Sequence, residues 1–229
     1  MRLYAIGDIH GRDDLLGGLL ECIEEDRANF VGATRLIFLG DYIDRGLQSK
    51  DVLGRLYALS LRDETAVFLK GNHEDAMLRF LEGLDEDALW LSFGGVETLQ
   101  SYGVETSTMA RASMAALVDR ALGLIPEEHI AFLRKLELSA TFGDYMFVHA
   151  GVRPDQPLDA QTPADLMWIR NDFLNSDIRP DKTIVHGHTP NRTPVDLGWR
   201  IGVDTGAGWN GQLTAVVLEG ESRRFLQAG

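Results

Sequence analysis

Short apolar runs alternate with helical patterns in the first third of the chain. The runs at residues 3–6, 36–39 and 66–69 have the length and composition of buried strands, and longer amphipathic stretches separate them. Strands that are joined by helical crossovers pair in parallel. The alternation therefore predicts an α/β chain with a largely parallel sheet that is covered by helices on both faces.

Each of these three predicted strands ends in glycine and polar residues. The sequences at the strand ends are GDIHG, GDYIDRG and KGNHE. In an open α/β sheet, the carboxyl ends of the strands and the loops after them form the ligand crevice. We therefore expect the three polar clusters to converge on one site.

The rest of the chain predicts a helical insertion followed by more strands. Between about residues 75 and 136 the apolar positions follow helical spacing, without a strand-like run of comparable length. After Glu137 short strand-like segments predominate, which predicts a second and more antiparallel sheet packed on the first. We interpret residues 1–229 as a single domain with a helical cap at approximately residues 75–136.

The overall charge restricts the partners. A formal net charge of −13 means that the average surface repels nucleic acids and anionic membranes, so we expect neither as a partner. No apolar stretch reaches the roughly 18 residues of a membrane span, and the start MRLYAIGDIHG has no signal-peptide pattern. We therefore expect a cytoplasmic location.

The positions of the histidines are the strongest indication of function. Packing or surface exposure would explain any one of them alone, but five follow apolar strand-like runs within polar clusters. The sixth, His129, begins a helical segment and is expected on the surface. The five are His10, His73, His149, His186 and His188.

The clusters together offer oxygen and imidazole ligands without a thiolate. This ligand chemistry suits Mn²⁺, Fe or Zn²⁺. One tetrahedral site cannot use six ligands, whereas two divalent ions that share a carboxylate can, and Asp41 on the middle strand is the expected bridge. The six candidate ligands are Asp8, His10, Asp41, Asn72, His149 and His188.

The ordered motifs resemble those of a known family, the metal-dependent phosphoprotein phosphatases of the calcineurin-like metallophosphoesterase superfamily. The blocks GDxHG, GDxxDRG, GNHE, HAG and GHTP occur in the family's order between Asp8 and about Gly211. Five ordered blocks are a specific signal, although each alone would be weak. The chain is most similar to the small bacterial and phage serine/threonine phosphatases. This resemblance implies a four-layer αββα sandwich with a helical cap insertion.

The resemblance also implies how the ligands are shared between two ions. Asp8, His10 and Asp41 would hold the first ion, and Asp41 would bridge to the second. Manganese is the first choice for both ions, with iron or zinc as alternatives. The other ligands of the second ion would be Asn72, His149 and His188.

A mechanism follows from the same resemblance. A hydroxide that bridges the two ions would attack phosphorus directly. His73 matches the general acid that protonates the leaving oxygen, and Asp44 would hydrogen-bond to it. Arg45, Arg170 and Asn72 would bind phosphate oxygens, although an ordinary surface position is the alternative for Arg170. The roles of three further residues stay open: His186, Asp204 and Trp209.

The substrate prediction depends on details of the second and third blocks. In the symmetrical diadenosine tetraphosphate hydrolases of bacteria, the second block resembles GDLVARG and the third block resembles GNHD. This chain has Asp44 and Glu74 where those hydrolases have alanine and aspartate. We therefore expect phosphomonoesters as substrates, with phosphoserine or phosphothreonine proteins first and small phosphoesters next. Hydrolysis of dinucleoside polyphosphates is the alternative, and it requires a surface on which bases can stack. No regulatory-subunit docking feature is evident, and a catalytically dead binding domain is disfavoured because every block is present.

Overall fold

Strands and helices alternate from the first residues of the chain, as the sequence predicts. The computed structural model describes residues 1–84, 89–105, 107 and 112–229. These residues form two sheets of five strands each. None of the helices among them is long and apolar enough to cross a bilayer.

The three apolar runs form neighbouring parallel strands of the first sheet. They are β1 (Arg2–Ile6), β2 (Thr34–Phe38) and β3 (Val67–Phe68). Helices α1 (Asp13–Ala28) and α2 (Ser49–Arg62) return the chain between them, which is what parallel pairing requires. This part of the fold prediction is confirmed.

The second sheet contains five short strands from the later part of the chain. These strands are β4 (Ser139–Phe142), β5 (Tyr145–Val148), β6 (Thr183–His186), β7 (Val195–Asp196) and β8 (Arg200–Gly202). β5 pairs in parallel with β6, and β6 pairs in parallel with β8, whereas β4 and β7 are antiparallel edge strands.

The last two strands correct one expectation. β9 (Leu213–Glu219) and β10 (Ser222–Ala228) join the first sheet, where β9 is antiparallel to β1. Each sheet consequently has two parallel and two antiparallel pairs, so the second is not the more antiparallel one. The physical reason is the long crossover between β5 and β6, which contains α7 (Pro163–Trp168) and α8 (Asn171–Leu174) and permits parallel pairing.

The two sheets pack face to face, with helices on their outer faces. Leu3 and Ala5 of β1 face the second sheet, whereas Tyr4 and Ile6, which alternate with them, face the helices, as the period of two in a strand requires. Helices α7 and α8 cover the outer face of the second sheet, where Phe173 is fully buried. The predicted α/β fold with two sheets between helices is confirmed.

Helices occupy most of the region that the sequence predicts as a cap. Its described residues contain no strand, but residues 85–88, 106 and 108–111 lie outside the described part of the chain. The division into one domain with a cap stays a prediction. The helices are α3 (Asn72–Leu81), a π-helical turn (Leu91–Gly95), α4 (Val96–Ser101), α5 (Met114–Leu122) and α6 (Glu127–Arg134).

His129 is buried, so its predicted surface position is wrong. Its Nδ1 atom lies 2.7 Å from the hydroxyl oxygen of Tyr102, and its ring packs near Tyr57 of α2. The sequence pattern around His129 identifies a helix start but not which side of that helix packs on the neighbouring helices. Burial lowers the pKa of His129.

Candidate active site

The loops after β1, β2 and β3 meet, as the sequence predicts. The amides of Ile9 and His10 both donate to the carbonyl of Asp41, at 3.0 and 2.9 Å. Gly40 has a φ of +104°, and a Cβ atom on it would lie 2.6 Å from the amide nitrogen of Gly71 in the third loop. Only glycine therefore permits this close approach of the second and third loops.

The backbone is strained where these loops carry polar side chains. The non-glycine residues that the described chain holds at positive φ all belong to the predicted site. A left-handed conformation costs a residue with a side chain about 1 to 2 kcal/mol. Such strain concentrates at functional sites because the surrounding structure enforces it. The five residues are His10, Asp41, Asp44, Arg45 and His188.

Two groups of buried side chains have ligand atoms within 4.8 Å of one another. The first contains His10, Asp41 and His73, and the second contains Asp41, His149 and His188. Asp41 belongs to both groups, and its two carboxylate oxygens lie 3.6 Å from Nε2 of His10 and 3.4 Å from Nε2 of His149. Asp41 therefore lies between the two groups of candidate metal ligands.

The histidines of these groups are oriented as metal ligands are. Nδ1 of His10 lies 2.9 Å from the carbonyl of Ile43, and Nδ1 of His149 lies 2.9 Å from the carbonyl of Leu39. A proton on Nδ1 leaves Nε2 free to bind a cation. Nε2 of His188 is buried and has no hydrogen-bond partner in the described structure. Burial lowers the pKa of His10 to about 3 and of His188 to about 2, so both rings are neutral, as ligands must be. Burial also opposes a charge on His149, but Asp41 raises the pKa of that ring to about 9, so His149 must lose a proton when a cation binds.

Two further predicted ligands adjoin the groups without belonging to them. The oxygens of Asp8 accept hydrogen bonds from the amide of His188 at 3.1 and 3.0 Å. Oδ1 of Asn72 lies 3.0 Å from Nε2 of His149, on the side of the second group. The structure thus brings all six predicted ligands together, while Asp8 is turned towards His188 rather than towards His10.

His73, the predicted general acid, contacts a buried carboxylate. Its Nδ1 atom lies 2.6 Å from Oδ2 of Asp44, and its Nε2 atom lies 3.4 Å from a guanidinium nitrogen of Arg45. Burial alone would lower the pKa of His73, but Asp41 and the hydrogen bond to Asp44 raise it to about 9. The ring is therefore protonated at neutral pH, as a general acid must be.

Asp44 is held in turn by two residues of the predicted cap region. The indole nitrogen of Trp90 donates to Oδ2 at 2.9 Å, and the hydroxyl of Thr98 donates to Oδ1 at 2.6 Å. All three side chains are completely buried. Neither Trp90 nor Thr98 was identified from the sequence, because both lie in helical patterns outside the five motif blocks.

An open cleft of about 410 Å³ lies beside these residues. Both predicted phosphate-binding arginines line it, and the side chain of Arg170 is exposed there, so its role in phosphate binding stays a prediction. Nη1 of Arg170 donates to the carbonyl of His188 at 3.2 Å. Three aromatic side chains complete the wall: Phe93, Trp168 and Trp209. Of these, Trp168 belongs to the sequence pattern Trp-x-Arg that ends at Arg170, whereas no sequence signal identified Phe93 as part of the site.

Comparison with known proteins gives the family. The sequence profile of the calcineurin-like phosphoesterases matches residues 1–216. The chain belongs to this family. The phosphoesterase is accordingly a hydrolase that acts with divalent metal ions, and its buried histidine and carboxylate groups are suited to bind them.

The phosphoesterase is similar to several characterised sequences and structures. It is 30% identical to the bis(5′-nucleosyl)-tetraphosphatase PrpE [asymmetrical] of Anoxybacillus flavithermus, over 92% of this chain and 88% of that protein. A putative diadenosine tetraphosphatase superposes with a TM-score of 0.68 at 21% identity, covering 100% of this chain and 94% of that chain. A cold-active protein tyrosine phosphatase superposes with a TM-score of 0.67 at 19% identity, covering 98% of this chain and 78% of that chain. The two structural likenesses support the fold.

Glu74 fixes the second and third loops of the phosphoesterase relative to each other. Its Oε2 atom accepts hydrogen bonds from the amides of Asp41 and Gly71 at 2.8 and 2.9 Å, and its Oε1 atom accepts one from Tyr42 at 2.8 Å. The sequence comparison identified Glu74 only as a difference from GNHD. Its position at the end of the third block and its full burial are the features that mark it as part of the site.

Two of the residues without a predicted role are buried outside the two ligand groups. His186 packs against Phe173, with ring centroids 5.2 Å apart, and its Nδ1 atom lies 3.0 Å from the carbonyl of Gly187. Asp204 accepts a hydrogen bond from the amide of Gly206 at 2.9 Å, which shapes the loop that carries Trp209. Both contacts are structural.

Proposed function

We propose that this phosphoesterase hydrolyses dinucleoside polyphosphates such as diadenosine tetraphosphate. This was the alternative in the sequence analysis, where phosphoprotein hydrolysis came first. The observation that carries the proposal is the aromatic wall of the cleft beside the metal-ligand groups. The names of the PrpE relatives, which are asymmetrical tetraphosphatases, also favour the alternative.

The aromatic wall offers the stacking surface that nucleotide bases need. The exposed fractions of Phe93, Trp168 and Trp209 are 37%, 42% and 65%, so large apolar areas face solvent in the cleft. Phe93 lies 6.3 Å from the ring of His73, and Trp168 lies 6.4 Å from the ring of His188, measured between centroids. Stacking of a base on an aromatic side chain contributes about 1 to 3 kcal/mol. A phosphoserine side chain gains little from such a surface.

The arginines of the cleft supply local positive charge in an acidic protein. Arg45 and Arg170 line the same cleft, whereas the formal net charge of the chain is −13. Guanidinium groups bind phosphate oxygens in a bidentate manner, and a polyphosphate offers several of them. Asn72 lies between the ligand groups and the cleft, so we assign it to phosphate binding as well as to the second ion.

The chain's residues suit two divalent cations, for which manganese stays the first choice. Asp8, His10 and Asp41 would hold one cation, and Asp41 would be shared with the second. When bound, the cations supply Lewis acidity and lower the pKa of water, so that a nucleophile exists at neutral pH. The other residues that would hold the second cation are Asn72, His149 and His188.

His73 would then act as the general acid. Its Nδ1 proton is held by Asp44, so the proton on Nε2 faces the cleft and can pass to the leaving oxygen. Arg45 lies beside this nitrogen and would bind the same phosphoryl group. A polyphosphate leaving group needs this proton less than a serine alkoxide does.

Product analysis tests the proposal. Purified protein with Mn²⁺ is incubated with diadenosine tetraphosphate and, separately, with a phosphoserine peptide. We expect ATP and AMP from the first and little inorganic phosphate from the second, with both activities abolished by a chelator. The opposite preference would overturn the proposal and restore the phosphoprotein prediction.

Phosphomonoester hydrolysis is the second candidate because of one specific feature. The buried pair of Asp44 and His73 keeps a strong general acid in place, which a poor leaving group such as an alkoxide requires. The phosphoserine peptide in the same experiment measures this activity directly.

A further inference from the structure

A second cleft shares one wall with the catalytic cleft. It has a volume of about 390 Å³, and Trp209 lines both clefts. Both volumes fall within the range of about 300 to 1,000 Å³ that is typical of small-molecule sites. The sequence motifs and the proposed catalysis make no use of this second cleft.

The segment that carries Trp209 packs against residues of the candidate active site. A Cβ atom on Gly206 would lie 2.5 Å from Nε1 of the indole, so the ring packs directly on that glycine. A Cβ atom on Gly208 would lie 3.0 Å from Cβ of His10, which places α9 (Ala207–Asn210) against the first loop. The guanidinium of Arg45 lies 5.4 Å from the indole centroid. The residues that separate the two clefts thus pack against the candidate active site.

One short segment connects the second metal-ligand group with the second cleft. His188 belongs to that ligand group, and Asn191 and Arg192 of the same segment line the second cleft. The amide of Asn191 donates to the carbonyl of Asp204 at 3.0 Å, which fixes the segment beside the last loop. A ligand that extends from the cations along this segment enters the second cleft.

The second cleft contains side-chain donors and acceptors that have no partner among the described residues and are suited to bind a nucleotide. Within the described residues, Arg192 makes no hydrogen bond or ion pair, and its side chain is exposed. Asn191 and Asn210 each donate one side-chain hydrogen bond to a backbone carbonyl, and neither side-chain oxygen accepts one from the described residues. An amide oxygen accepts from the exocyclic amino group of a base, as in the pairing of asparagine with adenine.

We infer that the second cleft binds the second nucleoside of a dinucleoside polyphosphate whose reacting phosphate lies between Arg45 and Arg170. The inference rests on the proposed function. Arg192 contacts the far phosphates, and the distal base stacks against Trp209 with its amino group towards Asn191 or Asn210. A substrate with one nucleoside leaves the base-binding part of this cleft empty, so the cleft distinguishes dinucleoside from mononucleoside polyphosphates.

Equilibrium binding tests the inference without depending on turnover. Calorimetry with the Mn²⁺-loaded protein compares a methylene-bridged, non-hydrolysable analogue of diadenosine tetraphosphate with the matching analogue of ATP. We expect the wild-type protein to bind the two-nucleoside analogue at least about tenfold more tightly, since one charge-assisted phosphate contact and one stacked base are added. Arg192→Ala should remove most of this difference, and Arg192→Glu should remove all of it.

Arg62→Ala is the matched control. Arg62 is also exposed, but it lies at the far end of the 14-residue helix α2, about 20 Å from the loop at which that helix begins. The control should keep the full difference between the two analogues. Thermal melting of each variant shows that it is folded.

The result separates the inference from the proposed function. Equal affinity of the wild-type protein for both analogues, or an unchanged difference in Arg192→Ala, overturns the second nucleoside site even if diadenosine tetraphosphate is cleaved. A difference that depends on Arg192 upholds the site even if the product analysis shows no cleavage and the proposed function fails.

Discussion

Nδ1 of His73 lies 2.6 Å from Oδ2 of Asp44, and both side chains are buried. The carboxylate is already fixed by Trp90 and Thr98, so it fixes the imidazole in turn. The orientation of His73 in the third strand-end cluster therefore depends on two residues of the predicted cap region. Contacts of this kind, between the residue that binds a proposed reacting group and its own neighbours, decide how firmly that group is held in the orientation that the reaction needs.

Replacing the proposed acid should separate catalysis from metal binding. In His73→Asn, kcat should fall by about 10² to 10⁴ for a substrate with an alkoxide leaving group, because general acid catalysis contributes that factor. The decrease should be smaller for p-nitrophenyl phosphate, whose leaving group needs no proton. Steady-state kinetics and elemental analysis should show this loss with two metal ions per chain retained. Loss of metal would instead make His73 a ligand, as its place in the first group allows.

Thr98→Val should weaken the support of Asp44. Valine keeps the shape of the buried threonine but leaves Oδ1 of Asp44 without the hydroxyl that donates to it, at a cost of about 1 to 3 kcal/mol, whereas the amide of Asp44 keeps its hydrogen bond to Ser49. Urea unfolding should show this decrease in the free energy of unfolding, and kcat should fall with it. Thr98→Ser restores the hydroxyl and is the control. If Val and Ser behave alike, the hydroxyl does not support Asp44.

Trp168→Ala should reduce the affinity for nucleotides selectively. Loss of one stacking partner should raise KM for diadenosine tetraphosphate by about 5- to 150-fold, since stacking contributes about 1 to 3 kcal/mol. KM for p-nitrophenyl phosphate should change little, and Trp168→Phe should retain most of the nucleotide affinity. An equal change for both substrates would show that Trp168 supports the fold of the cleft and not base binding.

Removal of metal should destabilise the protein. Several carboxylates are buried close together, and burial together with Asp204 raises the pKa of Asp8 well above its ordinary value. Divalent cations bind the native state only, so a concentration 100 times Kd should add about 2.7 kcal/mol to the free energy of unfolding. Differential scanning calorimetry should show a melting temperature that falls with chelator and rises with added Mn²⁺. A melting temperature independent of both would mean that the histidine groups bind no metal.

His129 should make stability depend on pH. Because burial lowers its pKa below the ordinary value of 6.5, the unfolded chain takes up a proton first as the pH falls. The contribution of His129 to stability is thus complete above pH 6.5 and is lost as the pH falls towards its native pKa. Urea unfolding at pH 7.5 and 5.5 should show a larger decrease for the wild-type protein than for His129→Gln. Equal decreases would place the origin of the pH dependence elsewhere.

The features that the sequence predicts well are those encoded locally. The three strand-end clusters can be recognised in the sequence because an apolar run, a glycine and a candidate metal-binding side chain follow one another within a few residues. The meeting of these clusters then follows from parallel pairing. The assignment of β9 to the first sheet could not be predicted in this way, since an apolar run does not indicate which sheet edge it will join.

The residues that the sequence did not predict are those whose roles depend on neighbours that are distant in the sequence. Trp90 and Thr98 become partners of Asp44 only when the helices of the predicted cap region pack against the loop after β2. Trp168 stands two residues before Arg170 in the pattern Trp-x-Arg, but this pattern does not show that its ring faces the cleft, which depends on the crossover between β5 and β6. His129 has a polar neighbourhood in the sequence but an apolar one in the fold.

The left-handed backbone at five polar residues has a consequence for engineering. Glycine adopts positive φ without the steric cost, so substitutions such as Arg45→Gly or His188→Gly relieve strain of about 1 to 2 kcal/mol each while they remove a proposed phosphate-binding or metal-binding side chain. Thermal selection alone would therefore reward variants that have lost their chemistry. Stability and activity are opposed at these positions, and a screen for a more robust enzyme must score turnover as well as melting temperature.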